Sequence, residues 1–234
     1  MTGTAYGIGV GPGDPELITL KGARLLESCE VVAYPAPLEG QSLARVIAAP
    51  HVTASKVEIP FRMALEADRF PDPEVYDRAA ADVGAHLDRG RDVAVLCEGD
   101  PFFYGSFMYL FARLAERWQV EVVPGVSSLV AAAAVTGAPL AARNDVLTVL
   151  PAPLPEHVLT ARLALADAAV VVKLGRHFAK VRGVLERLDL TRRARYVERA
   201  TMHNERILPL DMVDPAEVPY FSMILVHRRK DAWR

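Results

Sequence analysis

Three short segments carry residue types suited to holding a ligand: GVGPGD (9–14), CEGDPFFYGS (97–106) and VVPGVSS (122–128). Each begins as an apolar run ends, and each is followed by residues at helical spacing, so each reads as a strand-to-helix turn. Glycine lets the backbone come close to a bound molecule, and proline stiffens the turn around it. The first turn is a poor dinucleotide fingerprint. No glycine falls inside the first helical turn, and Pro12 kinks the loop. Asp14 reads as an N-cap with Pro15 at the first helical position, and a carboxylate there repels phosphate. The second apolar run ends in Tyr34–Pro35, with no acid to hold a ribose hydroxyl. A tight turn with a capped helix is the plainer reading of the segment.

In the second turn Asp100 is the acid that could meet a ligand hydroxyl or a cation. Phe102, Phe103 and Tyr104 offer flat apolar surface, or else tuck into the core beneath a helix cap. The third turn ends on Ser127 and Ser128, either of which could cap the next helix. Three such turns in one parallel sheet share an edge, which implies a pocket lined by backbone and small polar groups. No nucleophile has a base beside it. The six histidines show no ligand spacing, so no metal site is expected.

The elements that must position these turns alternate along the first half. Residues 5–9, 30–35, 57–59, 92–97 and 120–123 read as strands, and 16–28, 73–89 and 106–118 as helices. Leu17, Leu20, Ala23, Leu25 and Leu26 should face inward. This alternation predicts right-handed crossovers and a mostly parallel sheet. The second half reads differently: helices at 127–136, 156–167 and 177–188, and extended pieces at 146–150, 169–173, 194–198, 205–208 and 221–227. Late strands suggest a mixed, partly antiparallel sheet. We therefore expect an α/β protein of two α/β domains, 1–124 with a mostly parallel five-stranded sheet and 125–234 with a mixed one. The proline-rich PAPLP (151–155) is the competing boundary on composition.

The bulk properties set limits. A chain of 234 residues with 51% hydrophobic and 24% charged content has the composition of an ordinary soluble globular protein, of one large domain or two small ones. A net charge of −2 and the lack of a basic stripe argue against nucleic acid as partner. Cys29 and Cys97 form no CxxC and read as buried reduced thiols. No apolar run reaches a membrane span and no signal segment opens the chain, so a cytoplasmic protein is expected. The start at Gly3–Thr4 implies little N-terminal embellishment.

The three turns in this order, with GxGPGDPELITLKG and GDPFFYG, resemble the tetrapyrrole methyltransferases, S-adenosylmethionine enzymes of corrin and sirohaem synthesis. EGDPFFYGSFMYL (98–110), KLGRHFAKVR (173–182), YVERATM (196–202) and PYFSMILV (219–226) are similar to the branch that methylates precorrin-2 at carbon-20. The resemblance implies a cofactor in the cleft between two domains, a small-molecule tetrapyrrole substrate and a homodimer. It places Pro12, Glu98, Gly99, Asp100, Phe103, Ser127, Ser128, Leu174 and Ala200 at S-adenosyl-L-methionine. Leu174 would meet the adenine through main chain, and at Ala200 relatives often carry glycine.

One departure matters. Relatives that methylate uroporphyrinogen carry an aspartate, a proposed base, just after the tyrosine ending the second strand; here that residue is Pro35. A sulfonium methyl carries its own leaving group, and a meso carbon of a reduced tetrapyrrole resembles an enamine. Proximity and alignment in a water-poor site would then be the main contribution. Proton loss could follow through solvent or a nearby group. Tyr104 is the candidate facing the reacting edge, or a core-packed tyrosine. Gly11, Arg62, Arg143, Lys173 and Arg176 are the candidates for substrate, the cations pairing with its carboxylates; Arg182, on another helical face, is a weaker one. The alternatives are a cobalt-loaded substrate, another ring carbon, a macromolecule methyltransferase of the same fold, or a binding module without chemistry.

Overall fold

Five apolar segments of the first half pair side by side: β1 (Thr4–Gly9), β2 (Val31–Pro37), β3 (Val57–Met63), β4 (Val93–Cys97) and β5 (Gln119–Val123). All their pairings are parallel, in the order β3-β2-β4-β1-β5. This computed structural model describes residues 2–63 and 72–229. The chain divides into two units, Met1–Ser127 and Ser128–Arg234.

Alternation along the strands sends successive side chains to opposite faces. Val32, Ala94 and Leu96 meet Leu26 of α1 (Leu20–Ser28) and Ala44 and Ile47 of α2 (Leu43–Ile47). Ala33, Val93 and Val95 meet Tyr76 and Val83 of α3 (Pro73–Leu87) and Phe107 and Leu110 of α4 (Phe107–Leu114). Each such large side chain contributes about 1.5–3 kcal/mol on burial. With both faces covered, β4 is buried at every residue, as a central parallel strand must be. The chain leaves β1 toward β2 but leaves β4 across β1 to β5. Adjacent strands therefore send their connections to opposite sides, which makes the carboxyl ends of β1 and β4 a topological switch point.

The second unit contains β6 (Leu147–Pro151), β7 (Ala168–Val172), β8 (Ala194–Glu198), β9 (Arg206–Leu208) and β10 (Ser222–His227), ordered β6-β7-β10-β8-β9. The β6–β7 pair is parallel and the other pairs are antiparallel. α6 (Glu156–Leu165) and α7 (Phe178–Arg187) cover one face, burying Leu159, Phe178 and Val181 against Tyr196 and Ile224. α5 (Ser128–Thr136) covers the other with Leu129 and Ala132 against Val170, Val197 and Leu225. The parallel first sheet and mixed second sheet expected from the sequence are both present.

Three local expectations are corrected. The helix expected over 16–28 is two pieces. Asp14 caps a single 3-10 turn, Pro15–Leu17, by accepting from Glu16 N–H at 2.9 Å. The chain then extends at Ile18, and Thr19 caps α1 through Gly22 N–H at 3.1 Å. This break shifts the helical phase, so Ile18 is buried and Leu20, expected inward, is 92% exposed. β2 does not stop at Pro35 but runs to Pro37. Beyond Ala33 it pairs with β3 alone, and a proline is tolerated where one ladder is missing. The five-residue α2 was too short to show a period. Both cysteines are buried and unpaired with each other.

Candidate functional site

The three turns converge on the carboxyl edge of the first sheet. Past the strand ends, Gly11 N–H donates to Gly99 O at 3.3 Å and Gly99 N–H to Gly11 O at 2.8 Å. Val10 N–H donates to Cys97 O at 2.9 Å just before them. Gly11 (φ +80°) and Gly99 (φ +63°) hold left-handed backbone, which glycine adopts at no steric cost. The third turn is packed against this pair. A Cβ on Gly125 would lie 2.1 Å from Gly99 O, and one on Gly9 would lie 2.6 Å from Gly125 Cα. Three strands thus end in one braced surface of bare backbone.

Asp100 ties it together. Its Oδ1 accepts from Phe102 N–H at 2.9 Å and its Oδ2 from Gly125 N–H at 3.1 Å. The turn segments 9–14, 98–106 and 123–128 contain Asp14, Glu98 and Asp100, and no lysine or arginine. A surface of that charge disfavours phosphate and suits a cation or hydroxyl donors.

Each remaining group on this edge has a definable state. Glu98 is partly buried, and Oε1 accepts from Ala44 N–H at 3.3 Å. Burial raises its pKa, with its own and the Ala44 backbone N–H groups opposing. Burial likewise pushes the Cys97 thiol up to about 12, so it is no nucleophile. Midway along β2, burial and the bond to Glu58 push the Tyr34 phenol up to about 12. Glu58 itself accepts from Tyr34 Oη at 2.6 Å and from Arg45 at 2.8 and 3.0 Å; the Arg45 bonds hold its carboxyl below the usual value.

The aromatics of the second turn are not tucked into the core. Phe102 meets Phe111 edge-on at 5.1 Å, while Phe103 and Tyr104 form a T-shaped pair at 5.1 Å. All three are exposed, Tyr104 at 47%. Tyr104 sits at φ +56°, a conformation costing a side-chain-bearing residue about 1–2 kcal/mol.

Of the sequence candidates, Gly11, Pro12, Glu98, Gly99, Asp100, Phe103 and Tyr104 share this edge. Ser127 closes the first unit and Ser128 opens α5. In the second unit β7 and β8 both flank β10 antiparallel, so their carboxyl ends lie at the same edge. Lys173, Leu174 and Arg176 follow β7, and Ala200 follows β8. Lys173 takes φ +60° and is partly buried, which lowers its pKa; Arg176 is exposed. Leu174 and Ala200 are buried in their own unit's core.

Arg143 is not with them. It lies in the turn closed by Ala142 N–H to Asp145 Oδ2, and Asp145 bonds His227, which pairs with Ala168 at the start of β7. The length of β7, five residues and roughly 13 Å, separates it from Lys173. Arg62 is exposed on β3 and donates to Pro37 O at 2.9 Å. Arg182 pairs along its own helix with Glu186 at 2.9 Å.

Sequence reasoning passed over Gly9 and Gly125, which sit in the quoted motifs but were weighed only as turn formers. It also passed over Arg199 and Thr201, at φ +49° and +68° in YVERATM. Among the described residues no group of three or more His, Cys, Asp or Glu could hold a metal, and no helix is long and apolar enough to cross a membrane.

Residues 4–214 match the family of Tetrapyrrole (Corrin/Porphyrin) Methylases. The chain belongs to that family. This tetrapyrrole methylase is 46% identical over 232 residues to the cobalamin biosynthesis protein CobIJ of Mycobacterium bovis, covering 96% of its own length. It spans about half of that relative, 46%. It is 40% identical over 237 residues to the precorrin-2 C(20)-methyltransferase of a Sinorhizobium species, covering 98% of this chain and 97% of the relative. Among solved structures it is similar to the uroporphyrin-III C-methyl transferase from Thermus thermophilus complexed with S-adenyl homocysteine. There the TM-score is 0.69 at 26% identity, over 97% of this chain and 98% of that one.

Proposed function

We propose that this tetrapyrrole methylase transfers the methyl group of S-adenosyl-L-methionine to carbon-20 of precorrin-2, giving precorrin-3A and S-adenosyl-L-homocysteine. The observation that carries the reading is the braced glycine surface at the switch point, with its three carboxylates and no basic residue. The 40% likeness to a C(20)-methyltransferase, nearly end to end, supports the choice of substrate and carbon.

The residues fit such a donor. Gly9 and Gly125 let the three turns pack backbone on backbone, and the acidic turns suit a cationic sulfur and ribose hydroxyls. When bound, S-adenosyl-L-methionine supplies a methyl group on a sulfur that leaves without protonation. The chain's own work is to hold the reactants in line: the Gly11–Gly99 bridge and the Asp100 bonds keep the three turns from moving relative to one another. Phe103 and Tyr104 present apolar surface that displaces water. Lys173 and Arg176 supply charge for the substrate's carboxylates. Assignment of Pro12, Ser127, Ser128, Leu174 and Ala200 to the cofactor rests on the resemblance, as do a homodimer and a cytoplasmic location.

The test is incubation with precorrin-2, with or without cobalt, and methyl-labelled S-adenosyl-L-methionine. Carbon-13 NMR should find the label on carbon-20; label on another ring carbon, or none, would overturn the reading. S-adenosyl-L-homocysteine should also raise the melting temperature where NAD does not, a ligand at a hundred times its Kd adding about 2.7 kcal/mol.

A further inference from the structure

Arg199 and Arg206 have no part in the assignments above, yet both gather on one buried group. Glu198, the last residue of β8, is 2% exposed. Its Oε1 accepts from Tyr196 Oη at 2.8 Å, and its Oε2 faces Arg199 Nη1 at 3.1 Å and Arg206 Nη1 at 3.6 Å. Burial and the bond to Glu198 raise the Tyr196 phenol, so Oη keeps the proton it donates. A guanidinium carries five N–H donors. Arg199 uses one of them on Glu198, and Arg206 lies just beyond hydrogen-bond distance of it. Their other side-chain donors have no partner among the described residues. Glu205, the other acid of this turn, accepts from Thr201 N–H at 2.6 Å and pairs with neither arginine. Two cations thus share one buried carboxylate, which holds them without occupying their donors.

Register places them on the edge that carries Lys173. Glu198 pairs with Ser222 of β10 and with Arg206 of β9. Lys173 is one residue past Val172, which pairs with Met223, so it falls level with Ser222. Lys173, Glu198 and Arg206 therefore stand in one row across the sheet, and two strand spacings put about 10 Å of backbone between the first two. Arg199 follows directly, at φ +49° and with its backbone N–H on Phe221 O at 2.7 Å. Phe221 and Tyr220 form an exposed T-shaped pair with centroids 5.2 Å apart. Aromatic surface beside cations suits a flat apolar ring that carries carboxylates at its rim.

We infer that Arg199 and Arg206 grip carboxylates of the tetrapyrrole, with Glu198 as the positioning residue behind them; the identity of the substrate rests on the functional reading above. A guanidinium fork meets a carboxylate through two parallel N–H bonds, which an ammonium cannot do. Lys173, farther along the row, takes a different carboxylate.

Arg206→Met removes an exposed side chain that closes no hydrogen bond of the fold. We expect KM for precorrin-2 to rise about tenfold, the size of one charge-assisted bond, with kcat and the melting shift caused by S-adenosyl-L-homocysteine unchanged. Arg199→Lys keeps the charge and loses the fork, and should raise KM about fivefold. Arg206→Met combined with Lys173→Met should reach about a hundredfold, because separate grips add in free energy. Glu198→Gln keeps an acceptor for Tyr196 Oη but no longer holds the arginines by charge. In that background Arg206→Met should change KM by less than about threefold, a coupling that a merely structural glutamate would not produce. A second readout needs no turnover: uroporphyrin III, a stable tetrapyrrole polycarboxylate, should bind Arg206→Met more weakly than wild type in a fluorescence titration. Arg143→Met, altered at the far end of β7, should bind it as wild type does. Unchanged KM and unchanged uroporphyrin binding in both Arg206→Met and Arg199→Lys would overturn the proposal. So would a fall in kcat alone, or an equal loss of S-adenosyl-L-homocysteine binding. A wild type whose uroporphyrin binding depends on Arg206 but which methylates no carbon-20 would instead bring down the functional reading and leave the grip in place.

Discussion

The two sheets both end in turns with left-handed backbone, but with a different balance of residue types. At the first edge two such residues are glycines, Gly11 and Gly99, with Tyr104 the exception; at the second Lys173, Arg199 and Thr201 carry side chains and Gly175 is the exception. The difference follows from what each turn packs against. Backbone meets backbone at the first edge, where a Cβ on Gly125 would fall 2.1 Å from Gly99 O, so a side chain is sterically excluded at Gly125, while at Gly11 it is the left-handed φ that favours glycine. At the second edge side chains are retained although each left-handed residue costs about 1–2 kcal/mol. Two of the three are cationic, and Arg199 is paired at 3.1 Å with Glu198, which is buried. The turns of the first edge carry acidic side chains and no basic one, whereas Lys173 and Arg199 stand at the second.

The sharpest break of that contrast is Gly125→Ala. Its Cβ would meet carbonyl oxygen and backbone that cannot swing aside, so we expect a loss of about 3 kcal/mol in urea unfolding. Next is Asp100→Ala, which leaves the Gly125 N–H without its acceptor; about 2 kcal/mol should be lost by the same measurement. On the basic edge, Lys173→Met should raise KM for the tetrapyrrole roughly tenfold, the size of one charge-assisted bond. Arg143→Met should leave it within about twofold, because Arg143 lies at the far end of β7.

A smaller effect separates backbone strain from contact. Gly137 has φ +60° but nothing within 4 Å of an added Cβ, so Gly137→Ala should cost about 1 kcal/mol by thermal denaturation. The least is Arg45→Ala, worth about 1 kcal/mol or less. Glu58's carboxyl is held low by Arg45, so the contribution is present above the ordinary glutamate value of 4.5 and disappears as pH falls through the folded pKa.

The strands and most helices were legible because their apolar residues recur at 2 and 3.6 residues over windows long enough to show the period. Leu20 was misplaced because Asp14 and Thr19 each offer a cap, and only packing of Ile18 into the core selects the second as the start of α1. Pro35 looked like a stop because its missing N–H matters only if both neighbouring ladders continue, and one does not. The site was half legible. Gly11, Gly99, Asp100 and Tyr104 stand in motifs whose composition marks them, whereas Arg143 was grouped with Lys173 by charge alone.

The amino-acid order by itself determined the alternation of strands and helices, the two kinds of sheet and the three turns, since these follow from local periodicity and the conformations open to glycine and proline. Tertiary structure alone decided that the turns form one surface and which backbone groups its carboxylates bind. Those outcomes depend on partners far apart in sequence, such as Gly125 N–H on Asp100, 25 residues away, and Ala44 N–H on Glu98, 54 away. Short-range pattern carries no information about bonds of that span, because they exist only once the sheet has set β1, β4 and β5 side by side.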